Sequence, residues 1–404
     1  MNWRRWQVFL LLGLLPGFIP AQPSTVAYNP SPQAALGQYV VLGWNDLGMH
    51  CMNKNYAELC ILPPFNNVWC YAIKRGARPE ITSQGVTLSY RFPTNTYSAG
   101  KVDFWTYAPS LFGVTLPANV GLTGHGLTGV LDWNGSAFEV TGVPITPFED
   151  AAPTVEQPYQ LVEVTLKNTI TGAQLDQTNF VVPTSVEIHC DTCHHEDNET
   201  PDYNILKKHD EENHTSLRSH RPVLCASCHS SNALGTPGVP GVKSLSQAVH
   251  GFHAGHARNI TCYSCHPGNQ TQCLRGAMFI AGKTCVDCHG SLSQVASSIS
   301  QGRRPWLDEP KCGSCHDANH SENPGKLYRN STGHGGLYCT VCHGSPHAEL
   351  PTAQARDGLQ MTRVQGQATY LKDCTVCHIT VPTGAGPHGF KPVSSVEKWA
   401  TYYQ

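Results

Sequence analysis

The stretch that decides the architecture reads Cys190-Asp-Thr-Cys193-His194, and it is the first of seven copies of Cys-x-x-Cys-His. The chain has 404 residues with 18 cysteines and 21 histidines. With that composition roughly 0.04 copies of the motif would arise by chance. The seven copies are formed by Cys190, Cys193 and His194; Cys225, Cys228 and His229; Cys262, Cys265 and His266; Cys285, Cys288 and His289; Cys312, Cys315 and His316; Cys339, Cys342 and His343; and Cys374, Cys377 and His378.

This spacing is that of a c-type haem attachment site. Two thiols three residues apart lie on one side of a helical turn and can reach both vinyl groups of one porphyrin, and the next histidine is then held under the iron as proximal ligand. We therefore predict seven covalently attached haem c groups. Zinc ribbons and a disulfide framework are the competing interpretations. They are disfavoured because zinc sites do not need a histidine after every cysteine pair and because reduced tetrathiolate sites fit an exported chain poorly.

The second axial position of each iron needs a further ligand, and histidine is the expected one. Fourteen histidines remain after the seven proximal ones, so bis-histidine ligation of every iron is feasible. His220 and His334 each lie five residues before a motif, which favours binding to the haem of a neighbouring motif. The preferred distal set is His195, His220, His250, His253, His334, His347 and His388. His50, His209, His214, His256 and His320 remain open as candidates, whereas His189 is better placed for a local hydrogen bond.

The N-terminal part of the sequence predicts two further segments. Arg4 and Arg5 precede a short apolar run, and Ala21 is a small residue at which a signal peptidase could cleave. Residues 1–21 are therefore predicted to be a signal peptide, and residues 22–36 a linker. We expect export, with the cell exterior favoured over the periplasm. No segment has 18 consecutive apolar residues, so no transmembrane anchor is expected. A net charge of -2 argues against a nucleic-acid partner.

Residues 37–187 read as an all-β, sandwich-like domain, and residues 188–404 as a loop-rich multihaem domain with short helices and little sheet. Turn residues separate the strand-like runs at short intervals, and Trp133-Asn-Gly135 between two runs indicates a hairpin. Amphipathic helical periodicity is nearly absent from residues 37–187. The predicted strand regions are Gly37–Trp44, Val68–Ile73, Val86–Phe92, Val102–Tyr107, Leu127–Trp133, Phe138–Val143, Leu161–Leu166 and Phe180–Val186.

Four cysteines stand outside the motifs, namely Cys51, Cys60, Cys70 and Cys273. Their even number in an exported chain favours disulfides. A bridge between Cys60 and Cys70 is the favoured pairing, because the two residues enclose a short loop. Cys51 and Cys273 could pair only if the two halves of the chain meet, and a free Cys273 beside a haem is the alternative.

The chain resembles the multihaem c-type cytochromes of metal-reducing and other respiratory bacteria. The likeness rests on the seven motifs, on the segments 262–276 and 334–347, and, for the β-rich half, on 44–51 and 61–65. The resemblance implies electron transfer along haem wires, with redox partner proteins or extracellular electron acceptors as partners. Some relatives polymerise into extracellular filaments, so a homopolymer through end-to-end haem contacts is a further expectation to test.

Three functions remain open. The first is an electron-transfer protein without enzymatic activity. The second is a multihaem reductase of nitrogen or sulfur oxyanions, which would need one iron with an open position. Such enzymes often mark that iron with Cys-x-x-Cys-Lys, and the chain has no such motif. In the third, the β-rich half is a binding domain for mineral, polysaccharide or protein. The alternative role for this half is that of a spacer between subunits or a cap over the haems.

Overall fold

The computed structural model describes residues 36–390 apart from 197, 257–259 and 269. The predicted signal peptide, nearly all of the linker and residues 391–404 lie outside the described residues. The strands are β1 Tyr39–Trp44, β2 His50–Cys51, β3 Leu59–Cys60, β4 Asn66–Lys74, β5 Glu80–Ile81, β6 Val86–Arg91, β7 Thr128–Val130, β8 Asp132–Trp133, β9 Phe138–Val143, β10 Tyr159–Asn168, β11 Gln174–Ser185 and β12 Val223–Leu224. The helices are α1 Phe104–Phe112, α2 Pro201–Asn213, α3 Leu245–His256, α4 Ala277–Ile280, α5 Cys285–His289, α6 Leu292–Ser300, α7 Cys339–His343 and α8 Leu359–Gln365.

The N-terminal half is rich in β-strands, as predicted. One five-stranded sheet has the order β1-β4-β9-β8 with β5 attached to β4, and the other has the order β2-β11-β10-β6-β7. The sheets share one apolar core, to which the first contributes Val41 and Val68 and the second Leu88 and Val164. The predicted hairpin is confirmed, because β8 and β9 pair antiparallel with Trp133 opposite Phe138. Alternating apolar residues therefore face a common interior, as their period of two requires.

One predicted strand of this half is wrong. The run Val102–Tyr107 leads into helix α1, the one α-helix in the described part of this half, instead of forming a strand. Phe104, Ala108 and Leu111 lie at positions i, i+4 and i+7 and are buried together against Tyr56. That spacing forms one face of a helix, and it was hidden by the alternation of aromatic and polar residues at the start of the segment.

The C-terminal half has short helices and few strands, in agreement with the expected fold. In its described part β12 is the one named strand, and it pairs with β3 of the N-terminal half. The longest helix, α2, has 13 residues, and α3 has 12. No helix within the described residues is long and apolar enough to cross a membrane.

Buried polar contacts hold the two halves together. The side chain of Gln360 on α8 accepts a hydrogen bond from the Gly43 amide at 2.8 Å and donates one to the Gly43 carbonyl at 2.9 Å. Arg275 forms an ion pair with Asp357 at 2.7 Å and donates to the Gly48 carbonyl at 2.6 Å. Because these groups are shielded from water, the contacts fix the position of the C-terminal half on the β-rich half.

Candidate metal centres

All seven Cys-x-x-Cys-His motifs form a single helical turn. The fourth and sixth motifs are the short helices α5 and α7, and the others begin as 3-10 turns. In the first motif the His194 amide donates to the Cys190 carbonyl at 2.9 Å, and the same bond recurs in the second, third, fifth and seventh motifs at 2.8 to 3.0 Å. One turn brings residues i, i+3 and i+4 to the same side. Each motif therefore presents two thiols and one imidazole in the same direction.

One large cavity runs through the C-terminal half. Its volume is about 3820 Å³, and every cysteine and histidine of the seven motifs lines it. This is about 550 Å³ per motif, within the roughly 300–1,000 Å³ of a pocket for one cofactor-sized ligand. The cavity is walled mainly by apolar atoms, so it suits a large apolar group that is attached at the motif turns.

Six of the motif histidines face a second histidine across this cavity. Their ring centres lie 5.9 to 6.5 Å apart. The pairs are His194 with His253 at 6.5 Å, His229 with His209 at 6.2 Å, His266 with His250 at 6.1 Å, His289 with His347 at 6.0 Å, His343 with His388 at 5.9 Å and His378 with His334 at 6.2 Å.

This separation is the one that a shared metal ion would impose. A metal–imidazole bond is about 2 Å long and its nitrogen lies about 1.2 Å from the ring centre, so two rings on opposite sides of one metal have centres about 6 Å apart. By comparison, the rings of His320 and His388 are stacked at 4.9 Å, which is too close for a metal ion between them. The six pairs therefore fit bis-histidine ligation.

Hydrogen bonds orient these imidazoles for binding. Nδ1 of His250 donates to the Ser246 carbonyl and Nδ1 of His253 to the Val249 carbonyl, both at 2.8 Å. Because a carbonyl oxygen can only accept, Nδ1 carries the proton and Nε2 is left with the lone pair that a metal requires. The same arrangement holds for three further paired residues, His229, His378 and His388.

Burial also favours the neutral imidazole in several pairs. It is the main cause of the lowered pKa of His347, which falls to about 4, with His289 and Arg275 adding to the effect. Burial likewise lowers the pKa of His266 and of His250; the His250 ring adds to the effect on His266, and Arg303 and His253 add to the effect on His250. A neutral histidine is the form that binds metal, so these residues would be ready to do so at neutral pH.

The structure brings five of the seven predicted distal histidines beside a motif histidine: His250, His253, His334, His347 and His388. It does not do so for His195 and His220, neither of which lines the cavity. The pairing of β12 with β3 explains the position of His220. This pairing holds the chain before the second motif against the β-rich half, and the imidazole stays exposed with Nδ1 bonded to the Ser216 carbonyl.

His209 lies opposite His229, whereas the sequence favoured His220 as a ligand for the haem of a neighbouring motif. It lies on α2 one turn after Ile205, and both side chains face the cavity. Sequence distance to a motif did not reveal this residue, since it lies sixteen positions before Cys225. The useful signal was its helical register with an apolar residue.

The other candidate histidines have separate contacts. Nε2 of His50 is bonded to Asp46 at 3.1 Å, and the residue is buried outside the cavity wall. His256 lines the cavity but stacks on Phe252 at 4.3 Å. His214 lies outside the lining residues. His189 bonds Glu187 locally at 2.6 Å, as expected from the sequence.

Neighbouring motifs are in electrostatic contact and reveal their order in space. Burial is the main cause of the raised pKa of Cys190, Cys262 and Cys342, and a thiol of an adjacent motif adds to it in each case. The first and third motifs are further joined by the bond from the His189 amide to the Cys265 carbonyl at 3.4 Å. The interacting pairs are Cys225 with Cys190, Cys190 with Cys265, Cys262 with Cys285, Cys288 with Cys315, Cys312 with Cys339 and Cys342 with Cys377.

These contacts join the motifs into one line in the order second, first, third, fourth, fifth, sixth and seventh. The third and fourth motifs, which the shortest sequence interval separates, interact through Cys262 and Cys285. The first motif, and not the second, lies next to the third. The reason is helix α3, from which His253 faces the first motif and His250 faces the third.

The loop after the third motif is held by a buried carboxylate, Glu187, whose side chain is 2 % exposed. It accepts hydrogen bonds from the amides of Gln270 at 2.9 Å and Thr271 at 2.7 Å and from the His189 ring at 2.6 Å. Burial alone would raise the pKa of Glu187, but the hydrogen bonds outweigh it and lower the pKa to about 2. The charged form is thus the one that fits the loop.

We expect Glu187→Gln to destabilise the folded protein by about 3 kcal/mol at pH 7, because amide nitrogen replaces an oxygen that accepts charge-assisted bonds. The folded pKa lies below the unfolded value, so this stabilisation is complete above about pH 4.5 and is lost as the pH falls towards 2. Urea unfolding of both proteins from pH 7 to pH 3 measures the difference, which should shrink on acidification. Glu196→Gln, at an exposed ion pair with Lys208, is the control and should have little effect.

The four cysteines outside the motifs are free thiols in this structure. The favoured Cys60–Cys70 bridge is therefore not formed. Cys60 packs beside Tyr56 and Phe104, whereas Cys70 belongs to the core between the two sheets. Cys51 and Cys273 do meet across the two halves, since burial first and the Cys273 thiol second raise the pKa of Cys51.

Comparisons with known proteins add no further assignment. The chain matches no family model, no curated protein and no solved structure.

Proposed function

We propose that the chain is an exported heptahaem c-type cytochrome that conducts electrons and has no catalytic activity of its own. The observation that carries the proposal is the set of six histidine pairs, 5.9 to 6.5 Å apart, inside one cavity that all seven motifs line. Zinc ribbons would not need a second imidazole opposite each motif histidine. The pairing therefore favours haem over the competing interpretation.

In this proposal the fourteen motif cysteines hold the porphyrins and the seven motif histidines are proximal ligands. The distal ligands are His209, His250, His253, His334, His347 and His388, so His209 replaces His195 and His220 of the set expected from sequence. When bound, haem iron accepts and returns one electron. At the six paired motifs the two imidazoles would occupy both ligand positions of the iron, which suits electron transfer without binding of a substrate there. Bonds at Nδ1 keep the rings oriented and tune their basicity.

The line of motifs defines the proposed electron path. Its two ends are the second motif, with His229, and the seventh, with His378, because each of these motifs has one neighbour in the line. Electrons would enter and leave at these ends, through redox partner proteins or an extracellular acceptor. End-to-end contact between copies of the chain would extend the path into a polymer.

The β-rich half is proposed to be a cap that fixes the motifs. Arg75 donates to the Thr375 carbonyl at 2.6 Å and to the Val376 carbonyl at 3.0 Å, which anchors the turn of the seventh motif. The Ala77 carbonyl accepts from Nδ1 of His378 at 3.1 Å. A separate binding head would not need such contacts with a motif, so they favour the cap.

The test is a stepwise reductive titration of the purified full-length protein under anaerobic conditions. We expect uptake of seven electrons per chain, with the absorption changes of low-spin haem at the six motifs that have a histidine pair. The double variant Cys374→Ser with Cys377→Ser should take up six, because one attachment turn is lost. A protein that accepts no electrons and contains zinc would refute the proposal.

A further inference from the structure

The fifth motif differs from the other six in its surroundings. All 21 histidines of the chain lie among the residues that the structure describes, and within them no second imidazole is in ring contact with His316. Its own turn is formed normally, with the His316 amide bonded to the Cys312 carbonyl at 2.9 Å. The motif is therefore equipped to attach a haem and to supply one imidazole ligand, and among the described residues no second imidazole faces it.

Two other histidines near this part of the chain have contacts of their own. His320 follows four residues later, but its ring stacks at 4.9 Å on that of His388, which faces the sixth motif. His50 approaches Trp306 of the preceding loop at 6.5 Å between ring centres, while its Nε2 is bonded to Asp46 at 3.1 Å. The undescribed C-terminal residues 391–404 include neither histidine nor methionine, so that segment cannot supply an imidazole or a thioether.

The fifth motif is also accessible to solvent. From Gly313 to His320 every residue of the chain is exposed, whereas the sixth motif has buried residues in its turn, Thr340 and Val341. Cys315 interacts with Cys288 of the fourth motif and Cys312 with Cys339 of the sixth. A site at His316 would thus be reachable from solvent and in contact with the electron path on both sides.

We propose that the haem held by Cys312, Cys315 and His316 keeps its second axial position open and binds a small exogenous ligand there. The class of ligand is a small molecule or anion that binds iron through carbon or nitrogen, such as carbon monoxide, nitric oxide or azide. This inference rests on the proposed haem attachment. It assigns the open site that a reductase would need to one motif, and it gives the chain a ligand-binding function beyond conduction.

Carbon monoxide is the probe, used on the reduced full-length protein that has been shown by intact mass to carry its haems. We expect one carbon monoxide bound per chain, and in the oxidised protein we expect one-seventh of the haem to be high-spin by electron paramagnetic resonance. The double variant Cys312→Ser with Cys315→Ser should lose both signals. The matched variant Cys374→Ser with Cys377→Ser should keep both and lose one low-spin haem instead.

Three results would overturn the inference while leaving haem attachment intact. The first is a seven-haem protein with only low-spin iron and no binding of carbon monoxide. The second is binding that persists after the fifth motif is removed. The third is a high-spin signal that disappears as protein concentration rises, which would mean that a second copy supplies the missing ligand. A protein without covalent haem would instead refute the proposed function.

Discussion

Replacing His209 by alanine is expected to convert one haem from low-spin to high-spin while all seven stay attached. The His209 ring lies 6.2 Å from that of His229, at the separation of two ligands on one metal, and the variant removes one of them. The cysteines that are proposed to attach the porphyrin are untouched. Electron paramagnetic resonance of the oxidised protein measures the change, which should amount to one-seventh of the total haem beyond any high-spin signal of the parent.

His220→Ala is the matched control, because His220 lies closer to the same motif in sequence but outside the cavity. Its spectrum should equal that of the parent protein. The opposite result would be a new high-spin haem in the His220 variant and none in the His209 variant. It would show that His220 is the ligand and that the His209 ring does not face His229.

Arg275→Met is expected to cause a large loss of stability, about 3–5 kcal/mol, because it leaves the Asp357 carboxylate buried without its partner. The Arg275 side chain is 1 % exposed and that of Asp357 is 7 % exposed. The guanidinium forms two bonds with Asp357, at 2.7 and 3.0 Å, and its centre lies 4.9 Å from the Tyr159 ring centre. Urea unfolding followed by tryptophan fluorescence and by haem absorption measures the loss.

Arg304→Met serves as control, since Arg304 and Asp308 form an exposed ion pair within one loop. Such a pair contributes at most about 1 kcal/mol. Because Arg275 joins the two halves through Gly48, we also expect the fluorescence and absorption transitions to separate in the Arg275 variant. Coincident transitions with unchanged midpoints would contradict the assigned role of this contact.

The sequence predicted the β-rich half well because alternation along a strand is a local property. Strands β6 and β9 follow the predicted runs closely, and a turn at Asn134 and Gly135 joins β8 to β9 as expected. The helix α1 escaped prediction because its first residues also alternate, and only packing against Tyr56 decides between the two structures. Local pattern is ambiguous in short apolar segments.

The seven Cys-x-x-Cys-His motifs could be recognised from sequence alone, but their spatial order could not. A motif is a property of five consecutive residues, whereas the order depends on which helix lies beside which turn. Helix α3 places His250 and His253 against two different motifs, and nothing in their spacing specifies which. The same reason explains His209, whose partner is chosen by the packing of α2.

The intact mass of the purified full-length protein under denaturing conditions tests the central claim most directly. The account predicts a polypeptide carrying seven covalent haem masses, with the fourteen motif cysteines unavailable to thiol reagents and Cys51, Cys60, Cys70 and Cys273 available. A mass equal to that of the bare polypeptide, with motif cysteines that react as thiols or as disulfides after reduction, would contradict it.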